Sequence, residues 1–192
     1  MTTSLADRHT VCFDLWTKRY YRYSCVLHKY PNLLNRDFKA DWPNQKWVTD
    51  ISYIPNRQGF LYLSVIRDLY DNSIVAYKTA TQQTINLVLN TIKAAKRKEK
   101  ITAKLQLHSD QGFQYTSQAY FNLTQSYGKI QSTSRRGNPY DNALTECIYR
   151  TKLNSFEKTE KVIDEYIYFY NYQRIQLKTK LTPMKYRCQY VA

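Results

Sequence analysis

Trp47-Val48-Thr49-Asp50-Ile51-Ser52-Tyr53-Ile54 sets one carboxylate in the middle of an apolar, β-branched run. The run reads as a strand, and an aspartate inside it is costly unless it is paired or binds a cation. Working outward, Gly59 punctuates a turn, and Phe60 to Arg67 reads as a second strand with an almost continuous apolar stretch. Asp71-Asn72-Ser73 supplies turn chemistry before a third strand, Ile74 to Thr79. Ile85, Val88, Leu89, Ile92 and Ala95 then recur at helical intervals, with Lys93, Lys96, Arg97 and Lys98 on the solvent side and at the C-terminal end. Lys104 to Leu107 reads as a short strand that ends in His108-Ser109-Asp110.

Further along, Ser117 can cap a helix carrying Tyr120, Phe121 and Leu123, closed at Gly128, and Ile130 to Ser134 reads as another short strand. The basic stretch Arg135 to Tyr140 is a loop. Asp141 or Asn142 then caps a helix with Glu146 in its first turns. A Tyr-rich helix covers roughly Val162 to Tyr172, and Pro183 follows its end. This order predicts an α/β fold, a mixed sheet with helices on both faces. The core runs over 45–162, preceded by a basic extension and linker (1–44, with Pro31, Pro43 and Asn44 at its end) and followed by a helical tail (163–192) packed on it.

Lys and Arg outnumber Asp and Glu by 29 to 15, giving a net charge of +14. Such an excess favours a polyanionic partner over a small neutral ligand. A membrane is a poor candidate. The longest apolar stretch, Phe60 to Ile66, is interrupted by Ser64 and falls far below the roughly 18 residues of a bilayer span. Asp7, Arg8 and His9 break any apolar signal segment near Met1. The expected setting is cytoplasmic and nucleoid-associated, with cysteines 12, 25, 147 and 188 as reduced thiols. His9-x-x-Cys12 and Cys25-x-x-His28 have ligand types suited to zinc. The basic, aromatic stretch between them, Trp16 to Tyr23, makes chance spacing the better explanation. The interleaved cations and rings of the first 40 residues fit a phosphate-contacting arm, or equally a partly ordered extension.

Two further acids complete a candidate set. Asp110 stands in Leu107-His108-Ser109-Asp110-Gln111-Gly112, and Glu146 follows after 35 intervening residues. Alone, Asp110 would read as a turn residue, Glu146 as an early-helix acid facing the dipole, and Asp50 as a paired core carboxylate. Asp68 and Asp71 read as strand-end and turn residues. Together, three acids at strand and helix edges of a basic chain suggest a divalent-metal site acting on DNA. Phosphodiester chemistry is served by two such ions about 3.5–4 Å apart, and hard cations take carboxylate oxygens.

Three stretches carry a resemblance. They are Pro43 through Tyr53 around Asp50, Leu107 through Ser117 around Asp110, and Ser132-Thr133-Ser134-Arg135-Arg136-Gly137-Asn138-Pro139-Tyr140-Asp141-Asn142-Ala143 before Glu146. A weaker match runs from Tyr170-Asn171-Tyr172-Gln173-Arg174 to Leu181-Thr182-Pro183. The chain resembles the catalytic core of orfB-type insertion-sequence transposases, which share a retroviral-integrase-like DDE core, from about Tyr30 to Tyr186. The resemblance implies a ribonuclease-H-like fold, magnesium or manganese, and DNA cleavage coupled to strand transfer by a homo-oligomer on DNA. It puts Asp50, Asp110 and Glu146 in the catalytic, metal-ligand positions. Arg135, Arg136, Asn138, Arg150 and Lys152 are the expected DNA contacts.

The chain departs from the family pattern in places. The lysine expected two helical turns after the catalytic Glu is Leu153 here. Lys152 is displaced by about 100° around the helix, and Arg150 lies one turn after Glu146. Cys147-Ile148-Tyr149-Arg150 replaces an aromatic pair and Gly, and Gln176 stands where a His is usual. No helix-turn-helix pattern precedes Trp47, so a truncated or frameshifted copy is expected, with an upstream-frame DNA-binding protein as a possible partner. An active transposase core, a DNA-binding remnant and a metal-dependent ribonuclease are the competing functions. Magnesium-dependent nicking, salt-dependent binding alone, or preference for an RNA–DNA hybrid distinguishes them.

Overall fold

The strand that carries Asp50, β1 (Lys46–Asn56), is the middle member of a five-stranded sheet. The computed structural model describes residues 28, 30–35, 37–99, 104–133 and 155–191. β2 (Gly59–Asp68) and β3 (Ile74–Ala80) continue from β1 as antiparallel neighbours, while β4 (Gln106–Ser109) and β5 (Ile130–Thr133) lie parallel to it on the other side. The spatial order is β3-β2-β1-β4-β5. The crossover from β3 to β4 contains α1 (Ile85–Lys98), and that from β4 to β5 contains α2 (Gln118–Ser126). α3 (Phe156–Tyr172) and α4 (Pro183–Val191) follow.

Alternation along β1 divides the core in two. Trp47 and Ile51 face α1 and α2, packing with Ile66, Val88, Ile92, Leu107, Tyr115 and Tyr120. Ile54 points the other way, with Leu61, Leu63 and Ile74 against Ile163 and Ile167 of α3. Helices therefore cover both faces, as the element order predicts. Ser155 starts α3 by accepting the N–H of Lys158. Asn171, buried near the end of α3, brackets Ile74. Its side-chain oxygen accepts the Ile74 N–H at 2.8 Å, and its amide donates to the Ile74 carbonyl at 3.0 Å.

Several boundaries differ from the sequence expectations. β4 covers Gln106–Ser109, two residues later than Lys104 to Leu107. The apolar pair Leu105 and Leu107 draws the pattern early, but the ladder begins only where Gln106 pairs with Lys46. The buried stripe of α1 is Leu87, Val88, Thr91, Ile92 and Ala95. Thr91 is admitted because its hydroxyl donates to the Leu87 carbonyl. α3 begins at Phe156, not near Val162, and so crosses that position. Pro183 opens α4 instead of merely following a helix. The Thr182 hydroxyl accepts the Lys185 N–H, and a first-turn proline has no N–H to leave unpaired.

Asp68 and Asp71 are more than strand-end and turn residues. Both are fully buried, and Arg187 of α4 donates to Asp68 at 2.9 Å, to Asp71 at 2.6 Å, to Glu99 at 2.7 Å and to the side-chain oxygen of Asn44 at 2.8 Å. One guanidinium thus joins the β2–β3 turn, the end of α1, the entry to β1 and the last helix.

Candidate active site

Asp50 sits on the central strand, and its alternation puts it on the α3 side of the sheet. Its carboxylate is exposed, and Oδ1 accepts the N–H of Ile51 at 2.8 Å. Asp110 leaves the end of β4, also exposed, and its Oδ1 accepts the Gly112 N–H at 2.9 Å. The β1–β4 register pairs Lys46 with Gln106, Trp47 with Leu107 and Val48 with His108. Carried two residues further, the same register places Asp110 level with Asp50 on the neighbouring strand. Adjacent strands are about 4.8 Å apart.

The electrostatics agree with that proximity. The protein around Asp50 removes much of the water that would stabilise its charge, and the Asp110 carboxylate adds repulsion. Its pKa is pushed up to about 6 against the backbone hydrogen bond from Ile51, which lowers it. In the core on the other face of the sheet, Tyr115 is fully buried and its hydroxyl lies 3.4 Å from that of Thr49. Burial, aided by the negative charge of Asp50 and Asp110, drives its pKa far up, so Tyr115 is neutral.

The turn after Asp110 is built tightly. The Gly112 carbonyl accepts the N–H groups of Tyr115 at 3.0 Å and Thr116 at 3.2 Å. A Cβ on Gly112 would lie 3.0 Å from Asp110 Oδ1 and 3.2 Å from Gln114 Oε1. His108, on the Asp50 face, is buried, which lowers its pKa, and its Nδ1 meets the Ser132 hydroxyl at 2.9 Å. His108, Gly112 and Ser132 stand within the quoted motifs, but nothing in the sequence marks the contacts they make here.

Two of the three predicted acids are therefore brought together. Glu146 lies outside the described residues, as do Arg135, Arg136, Asn138, Arg150 and Lys152. Among the described residues no group of three or more metal-ligating side chains forms a metal site. His9, Cys12 and Cys25 also lie outside them. His28 is engaged elsewhere, with Nε2 2.8 Å from the Gln118 side-chain oxygen and its ring stacked on Phe121 at 4.2 Å. No described helix is long and apolar enough to cross a membrane.

Comparison with known proteins gives the family of this sheet and its two neighbouring acids. An integrase core domain model matches residues 40–139, and a second integrase core model matches 140–191. The chain belongs to the integrase core family, on the side of insertion-sequence transposases. It is 43% identical over 184 residues to an uncharacterized transposase-like protein of Haemophilus influenzae, covering 90% of this chain and 85% of that one. It is 40% identical over 169 residues to the putative transposase InsK for insertion sequence element IS150 of Escherichia coli, covering 83% of this chain and 60% of the relative. Against the transposase for IS904 of Lactococcus lactis the identity is 41% over 134 residues, covering 70% and 53%. The chain thus spans little more than half the length of the last two.

Among solved structures, the HTLV-2 integrase catalytic core domain in complex with magnesium superposes with a TM-score of 0.61 at 14% identity, covering 77% of this chain and 99% of that one. A chain of the simian T-cell lymphotropic virus intasome gives 0.65 at 15%, covering 77% and 57%. This likeness establishes the ribonuclease-H-like fold.

Proposed function

We propose that the chain is the catalytic core of a DNA transposase that cleaves DNA at element ends and joins the freed 3′-hydroxyl to target DNA. The observation that supports this reading is that the β1–β4 register, continued two residues, brings Asp110 beside Asp50 on an integrase-type sheet, and that the charge of Asp110 acts on Asp50. Asp50, Asp110 and Glu146 are the residues to hold divalent cations, magnesium or manganese, in a two-ion arrangement. The pair fits that role: two oxygen-bearing side chains open to solvent, one carrying a raised pKa because it is desolvated and faces like charge. Bound there, the ions would supply Lewis acidity for the attacking and leaving oxygens.

The chain's own residues do the rest. The rigid strand holds Asp50 in place, and the Gly112 N–H orients the Asp110 carboxylate. Neutral Tyr115 packs in the core on the other face of the sheet, against Trp47 and Ile51. Arg135, Arg136, Asn138, Arg150 and Lys152 would contact DNA phosphates, consistent with the net charge of +14. The same charge suits a polyanionic partner, and the chain would act on DNA in the nucleoid as a homo-oligomer.

The test is nicking and joining of an end-mimicking duplex by the purified chain. Activity should require magnesium or manganese and disappear in Asp110→Asn. Equal activity in that variant contradicts the assignment.

A further inference from the structure

His108 is held by contacts that reach beyond the acid pair. Its Nδ1 lies 2.9 Å from the Ser132 hydroxyl oxygen. That oxygen also accepts the backbone N–H groups of Leu33 at 2.9 Å and Leu34 at 3.3 Å. A hydroxyl has two acceptor positions and one proton. With both acceptor positions filled, the proton goes to Nδ1, and the ring hydrogen of His108 must sit on Nε2. Nε2 has no hydrogen-bond partner among the described residues, and it is not one of the fully buried polar atoms left unpaired.

The segment supplying those two N–H groups is itself fixed. Leu34 is buried at 2% exposure, the Thr133 hydroxyl donates to the Tyr30 carbonyl at 2.6 Å, and the Pro31 carbonyl accepts the Thr133 N–H. The chain ahead of the core thereby sets the tautomer of a histidine next to the acids. His108 pairs with Val48, opposite in face to Leu107 and so on the side of Asp50. Two residues on, about 7 Å along the strands, stand Asp50 and Asp110.

We propose that His108 contacts DNA, its Nε2–H donating to a phosphate oxygen of the strand presented to Asp50 and Asp110. Ser132 is the positioning residue that keeps the proton on that nitrogen. This rests on the transposase reading above. A neutral donor suits the place: a lysine or arginine would pair with the two carboxylates and compete with a cation, whereas an uncharged N–H holds phosphate without doing so.

The test combines imidazole ¹⁵N NMR of the metal-free chain, with and without a short duplex, and magnesium-dependent nicking by variants. The wild-type spectrum should show His108 as the Nε2–H tautomer, with that resonance moved by duplex, and Ser132→Ala should admit the Nδ1–H form. His108→Gln reaches the Nε2 position with its amide and should stay within about threefold of wild type. His108→Asn reaches only the Nδ1 position and should lose about tenfold or more, the worth of a hydrogen bond to a charged oxygen. An Nδ1–H wild type, a resonance unmoved by duplex, or Gln and Asn variants of equal activity each overturns the inference. Absence of nicking in wild type, with the His108 resonance still moved by duplex, overturns the transposase reading and leaves this contact standing.

Discussion

Asp50 and Asp110 stand level with one another, one within the central strand and one just past the end of its parallel neighbour, in continuation of the Val48–His108 pair. The parallel ladder fixes the backbone as far as Val48 and His108, and beyond it the N–H groups of Ile51 and Gly112 hold the two carboxylates. Loss of water around Asp50 and, after it, the neighbouring charge of Asp110 raise the pKa of Asp50.

That shift makes metal-free stability depend on pH. The folded pKa of Asp50, about 6, lies above its ordinary 3.8. The folded protein therefore holds a proton that the unfolded chain has released. Its contribution is fully present below about pH 4 and is lost as pH rises through the folded value. Calorimetry without divalent ions should show a midpoint that falls between pH 4 and 7 more steeply in wild type than in Asp50→Asn. Magnesium should raise the wild-type midpoint at pH 8 and leave Asp50→Asn nearly unmoved. Parallel pH curves for the two proteins count against the placement of Asp50.

Gly112→Ala should damage activity more than stability. Its Cβ would press on Asp110 Oδ1 at 3.0 Å and on Gln114 Oε1 at 3.2 Å, so the carboxylate has to turn. Small misplacements of a reacting group cost on the order of tenfold to a hundredfold in rate. Nicking should fall by about tenfold or more, with the thermal midpoint close to wild type. Full activity in the variant contradicts the role given to this turn.

Arg187→Met should unfold the core far more readily. It would leave Asp68, Asp71 and Glu99 crowded in the interior with no cation. Burial already raises the pKa of Asp68, and the charge of Asp71 adds to that rise. Removing one partner of a buried ion pair typically costs about 3–5 kcal/mol. Urea denaturation at pH 7 measures the loss, which should shrink at low pH as the carboxylates take up protons. A loss no larger at pH 7 than at pH 4 would show that the network is not electrostatic.

Asn171→Leu should also destabilise, by about 1–3 kcal/mol, because it strands the buried N–H and C=O of Ile74. Hydrogen exchange at Ile74 is the local readout, and unchanged protection there argues against the bracket.

The legible parts of this protein are those written in local pattern. β1, β2 and β3 follow from their β-branched runs and turn residues, α2 from Ser117 and Gly128, and the acids Asp50 and Asp110 from their motifs. What escaped is long-range. Nothing near Arg187 marks it as the partner of Asp68, 119 positions away, and nothing near Ser132 marks it as the partner of Leu33. The strand offset that sets Asp110 beside Asp50 is likewise a property of two segments, which no single stretch encodes. Pro183 reads as following the end of a helix yet opens one, since proline punctuates both ends of helices.

The most direct measurement is anomalous diffraction from crystals of the chain soaked in manganese. The account predicts a manganese peak within coordination distance of carboxylate oxygens from both Asp50 and Asp110, lost in Asp110→Asn. A structure in which manganese binds elsewhere, or in which the two carboxylates point apart with no ion between them, contradicts it.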